Sequence, residues 1–160
     1  MKNLFSTATA ILLLVVSGFA QNATPNFSGT WTVDLTKSDF GPAPPPDSIV
    51  MVIEHREPSI KVTTTQKGAQ GEISSDRAIT TDGKENINKM RTPAGDLDVK
   101  STTHWTGRTL ATVRNIDVQG LSITSNDTWE LSADGRVLTI AQETTTPQGA
   151  FSAKAVFNKK

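Results

Sequence analysis

Trp31, Val33 and Leu35 stand two residues apart, and Ile49, Met51 and Ile53 repeat that step in the next segment. A period of two places alternate side chains on one face of a β-strand. The same step joins Ile60 with Val62, Ile73 with Ile79, and Leu97 and Val99 with Trp105. It recurs through Leu121, Ile123, Trp129 and Leu131, and through Phe151, Ala153, Ala155 and Phe157. These sets are the predicted inward faces. Residues 109–118 and 137–142 carry apolar side chains on both parities, so their register stays open. No segment shows a sustained helical period.

Turn chemistry punctuates the strands at residues 68–71, Asp82-Gly83, residues 93–96, Gly107, Gly120, Asp134-Gly135 and residues 147–149, about 12 to 15 residues apart. Asp-Gly at residues 82 and 134 suits a two-residue hairpin that needs positive φ. The count predicts an all-β chain: an antiparallel up-and-down meander of about eight to ten strands. Left flat, such a sheet would expose an apolar face and two edges, and closure into a barrel removes both. One connection is long, residues 37–47 with Pro42, Pro44, Pro45 and Pro46. Proline cannot donate to a ladder, so this is an extended loop over the barrel end or outside it.

Residues 1–20 read as a cleavable signal peptide: Lys2, an apolar run over residues 10–16, then Ser17, Gly18, Phe19 and Ala20, with Gln21 as the expected mature start. The run is shorter than the roughly 20 residues a spanning helix requires. No cysteine follows it to carry a lipid. Residues 21–160 are then one domain in an extracytoplasmic space, periplasmic or secreted. The absence of cysteine also points to bacterial export, and the Asn-x-Ser/Thr sites at Asn22, Asn26 and Asn126 would matter only in a eukaryotic secretory pathway. Removing Lys2 with the leader leaves 15 Lys plus Arg against 16 Asp plus Glu, a net charge of −1. That balance predicts neither a nucleic-acid partner nor an anionic membrane surface, and the expected state is a monomer.

The first segment after the leader, Asn26-Phe27-Ser28-Gly29-Thr30-Trp31, resembles the opening of calycin barrels: lipocalins, fatty-acid-binding proteins and avidins. The resemblance implies a lipocalin-like barrel with Trp31 plugging one end. Residues 27–38, the Pro-rich stretch and Trp129 to Gly135 also resemble small secreted lipocalin-like proteins of bacteria, a group that brings no assigned activity with it. Other calycin marks are missing. Lipocalins carry a late Arg that packs on the Trp, whereas this chain has no Tyr and only Lys154, Lys159 and Lys160 near its end. The helical lid and late basic and Tyr cluster of fatty-acid-binding proteins have no counterpart either.

His55 and His104 are the only histidines, neither with a partner at metal-ligand spacing, so no metal and no cofactor is expected. By parity His104 points outward and His55 inward. No serine-nucleophile elbow or phosphate loop occurs, so no catalytic residue is assigned, and Asp96 with Asp98 sits at a turn. More informative are Thr64, Arg77, Ser101, Thr103, Ser125 and Asp127, polar residues that share parity with the apolar face. A buried charge must pair or reach water, so Arg77 and Asp127 imply a wet lumen unless a one-residue slip turns them outward. In the first case Arg77 could meet a carboxylate or phosphate group, with Asp127, Thr103 and Trp105 shaping the pocket and His55 beside it. Trp105, next to Gly107, is placed at a cavity mouth. The leading expectation is a barrel that binds a small, partly apolar molecule in its lumen. The alternative is an interaction or inhibitor protein with a filled barrel acting through its loops, and a third is a barrel enzyme using Arg77, Asp127 or His55. A lumen of roughly 300 Å³ would favour the first.

Overall fold

A computed structural model describes residues 24–69, 71–92 and 95–160, so the leader and Asn22 lie outside the described residues. Ten strands run in chain order: β1 (Gly29–Val33), β2 (Ser48–Arg56), β3 (Ser59–Gly68), β4 (Gly71–Thr80), β5 (Asp82–Thr92), β6 (Gly95–Thr106), β7 (Thr109–Val118), β8 (Leu121–Leu131), β9 (Val137–Thr146) and β10 (Gly149–Lys159). All pair antiparallel with their chain neighbours except β4 and β5, and β1 pairs with β10. The result is a nearly closed up-and-down barrel with no helix among the described residues.

The inward parities hold along most strands, with one correction. Leu35, expected inward with Trp31 and Val33, is exposed, because β1 ends at Val33 and the chain turns away. The open registers resolve through the hairpins: Trp105 pairs with Leu110 and Trp129 with Ile140, so the even residues of β7 and β9 face the lumen. Asp82-Gly83 is a second correction. Rather than turning a two-residue hairpin between β4 and β5, it sits in a bulge at the start of β5, where Asp82 pairs with His104 of β6.

One end of the barrel is solid. Phe27, Trp31, Ile60, Leu110 and Leu138 are fully buried there, with Trp129 almost so. Phe27 stacks on both His55 and Trp105 with ring centroids 5.7 Å away, and it meets Trp129 edge-on at 5.6 Å. The Trp31 indole N–H donates to the Phe27 carbonyl at 2.9 Å, so the Trp ties down the segment that seals the end. Lys159 covers the plug, its Nζ 5.2 Å from the Trp31 ring centroid. Gly29 is required beneath it. Its φ is +141°, and a Cβ there would stand 2.6 Å from Lys159 Cε.

The connection from β1 to β2, expected over the barrel end or outside it, instead continues in its first part in line with β1 along the same edge of β10. Asp39 bridges Lys154, and Ser38 Oγ accepts from the Val156 N–H at 2.9 Å. The prolines then pass beside Gly68 at the β3–β4 turn.

Candidate functional site

Above the apolar plug the inward positions turn polar. Thr103 and Thr112 share a hydroxyl hydrogen bond at 2.9 Å, Ser125 and Thr144 another at 3.0 Å, and the Gln142 amide donates to both members of the second pair. These groups satisfy one another across neighbouring strands, as buried polar groups must. Ser101 Oγ is the exception: it is buried without a partner among the described residues.

The charges sit in this layer. Register places Arg114 between Ser101 of β6 and Ser125 of β8. Its Nη2–H donates to Asp127 Oδ1 at 3.0 Å. Its Nε lies 2.8 Å from Asp127 Oδ2 without its N–H aimed there, so the contact is an ion pair with one well-directed hydrogen bond. Asp127 is 4% exposed. Arg77, from β4, is held differently: its Cζ lies 5.3 Å from the Trp129 ring centroid, and no side-chain hydrogen bond or ion pair engages its guanidinium among the described residues. Burial lowers its pKa to about 10, helped by the positive charge of Arg114 and opposed by Asp127. It is charged at neutral pH. Two cations against one anion leave this layer with a net charge of +1, and the guanidinium with none of its donors engaged is that of Arg77, while Arg114 leaves only its Nε–H without a partner.

Arg77, Arg114, Ser101, Thr64 and Thr112 line a cavity of about 360 Å³, with Ile73, Met90 and Val99 toward the open end. At that end Ile73, Leu121 and Phe151, all of inward parity, are largely exposed, 55% for Ile73. The lumen is therefore layered as apolar plug, charged middle and apolar rim.

Among the residues singled out by sequence, Arg77, Thr103 and Asp127 do point inward, with no slip of register. Arg77 lines the cavity, while Asp127 and Thr103 lie behind it, engaged by Arg114 and Thr112. Trp105 and His55 are placed elsewhere. Trp105 is at the closed end and not at a mouth, because the turn after β6 lies on the same side as Phe27 and the β2–β3 turn. His55 is 4% exposed, its Nδ1 accepting the Phe27 N–H at 3.2 Å and its Nε2 2.9 Å from Glu57 Oε1. With Nδ1 an acceptor, the proton sits on Nε2. Glu57 also accepts from the Trp105 indole at 2.9 Å and from the Thr81 hydroxyl. Burial pushes the Glu57 carboxyl up, but the hydrogen bonds from Thr81, His55 and Trp105 outweigh it and hold the group below its ordinary value. This cluster fastens the closed end. His104 is exposed, as parity predicts.

Sequence reading missed Arg114, because β7 carries Ala111 and Val113 on the opposite parity and offered no register of its own. Counting back from the Thr106–Thr109 turn would have placed it opposite Ser101, inside.

No protein-family model and no curated protein sequence matches the chain. Solved structures do. Secretory abundant heat soluble protein 4 from Ramazzottius varieornatus aligns with a TM-score of 0.52 and 16% identity, over 84% of this chain and 94% of that one. Zebrafish ileal bile acid-binding protein, complexed with cholic acid, aligns with a TM-score of 0.51 and 19% identity, over 84% of this chain and 98% of that one. At these identities the likeness is one of fold, an antiparallel up-and-down β-barrel.

Proposed function

We propose that the chain is a binding protein whose lumen takes a small, partly apolar molecule carrying one acidic group. The observation that carries this reading is Arg77, a charged guanidinium lining the cavity with its hydrogen-bond donors unengaged, in the same cavity as the orphaned Ser101 hydroxyl. A carboxylate, sulfonate or phosphate ester would satisfy both and neutralise the surplus charge. The apolar rim at Ile73, Met90 and Val99 would cover the rest of such a molecule. An unfilled lumen supports this reading over that of a filled barrel acting through its loops. A fold shared with a bile acid-binding protein is in keeping with it. The leader-like residues 1–20 support export, so the ligand would be met outside the cytoplasm.

The test is a fluorescence titration with 1-anilinonaphthalene-8-sulfonate, an amphiphile with a single sulfonate. Arg77→Gln should weaken its binding by about tenfold or more, the loss of one charged hydrogen-bonding partner. Equal affinity in both proteins would remove Arg77 from the site.

A further inference from the structure

β4 and β5 are the two ends of the sheet, and no ladder joins them. Among the described residues the hydrogen bonds across this seam beyond the turn come from two side chains of β5, Asn88 and Asn86. The Asn88 amide donates to the Ala78 carbonyl and accepts the Ala78 N–H, both at 2.8 Å, standing in for a missing peptide group. Below it Asn86 donates to the Thr80 hydroxyl at 3.2 Å.

Each side of this seam is hollow. Inside is the lumen cavity, and outside is a recess of about 330 Å³ lined by the outward residues Val52, Glu54, Lys61, Thr63 and Ala78. The two hollows share Asp76, Arg77 and Asn88. The hollows lie on opposite faces of β4 and come together at its free edge, where the Asn88 latch stands in place of a ladder rung. Asp76 does not block the passage, since its carboxylate is held by the Thr63 hydroxyl at 2.6 Å. A ladder rung could open only with its neighbours, whereas a side-chain amide opens by rotating about its own bonds, on the fast timescale of exposed side chains.

We propose that the β4–β5 seam is a side entrance to the lumen, gated by Asn88, through which the acidic group of an amphiphile reaches Arg77 from outside. The inference rests on Arg77 being the anion site. It adds a route that does not require the molecule to travel head-first through the apolar rim.

The experiment is stopped-flow mixing with 1-anilinonaphthalene-8-sulfonate, run beside the equilibrium titration. Two amide hydrogen bonds of ordinary net strength hold the latch, so Asn88→Ala should speed association and dissociation together by about tenfold, with the dissociation constant unchanged within about twofold. A second variant removes the latch from the other side: Ala78→Pro deletes the N–H that Asn88 accepts, on an edge strand where proline is tolerated, and should raise both rates by a smaller factor. Unchanged rates in both variants would overturn the gate. So would a changed affinity with an unchanged association rate, which would make Asn88 a ligand contact. If the wild-type protein does not bind the dye at all, the Arg77 reading fails by itself. The passage is then read by iodide quenching of the tryptophan fluorescence, since Trp129 lies against Arg77; Asn88→Ala should increase quenching, and equal quenching would overturn the entrance.

Discussion

Asp127→Asn keeps the shape of the side chain and deletes the one negative charge in the polar layer. Arg114 then loses its ion-pair partner, and Arg77 loses the only charge that raises its pKa. Breaking a buried pair from one side costs about 3 to 5 kcal/mol when the remaining charge has nowhere to go. Here the Arg114 side chain is 22% exposed and faces a cavity, so the low end applies, about 3 kcal/mol. For a domain of this length that corresponds to a Tm lowered by about 10 °C. Urea unfolding of Asp127→Asn, Arg114→Leu and the double variant measures the coupling. The single Asp127→Asn change should lower stability by about 3 kcal/mol, and the double variant should recover more than half of it. The same Asp127→Asn protein should bind 1-anilinonaphthalene-8-sulfonate more tightly than wild type, because two uncompensated cations remain. A loss under about 0.5 kcal/mol, the range of ordinary surface changes, would refute a buried pair and with it the inward register of β8.

Phe27→Ala should cost about 3 to 5 kcal/mol in urea unfolding, since the fully buried ring fills the closed end against His55, Trp105 and Trp129. Gly29→Ala should cost about 1 to 2 kcal/mol by forcing a side chain into a positive-φ position and pushing Lys159 off Trp31, read as a lower thermal midpoint. Glu57 has a carboxyl held below its ordinary value in the folded chain, so its contribution is full above the unfolded-state pKa and is lost as pH falls through the lower folded value. Urea midpoints of Glu57→Gln between pH 7 and 3 should therefore fall less steeply with acid than those of wild type.

The sequence made the closed end legible because its physics is local. Gly29, Trp31 and Phe27 form one short string, and apolar alternation marks β1, β2, β3 and β8, which bring Trp31, Ile53, Ile60 and Trp129 to the plug. The polar layer obeys the opposite rule. Inward Arg77 and Ser101 are legible only through the parity of their apolar neighbours, and Thr112 and Arg114 lie on a strand with apolar residues on both parities, where alternation gives no side. β5 shows this most plainly: Asn86 and Asn88 face Ser101 and Val99 on the inner side, while Ile87 is 57% exposed. Trp105 was misplaced for a related reason, because Gly107 marks a turn without saying at which end of the barrel the turn lies. That depends on strand parity counted through the whole meander. The Asn88 latch is a contact between strands that share no ladder, and no periodicity could announce it.

Charge selection by Arg77 is tested most directly by native mass spectrometry of the protein incubated with equal amounts of a long-chain carboxylic acid and its neutral methyl ester. Wild type should retain the acid, one molecule per chain, in clear preference to the ester, and Arg77→Gln should lose that preference while keeping its fold. Equal retention of acid and ester by the wild-type protein would contradict an anion site in the lumen.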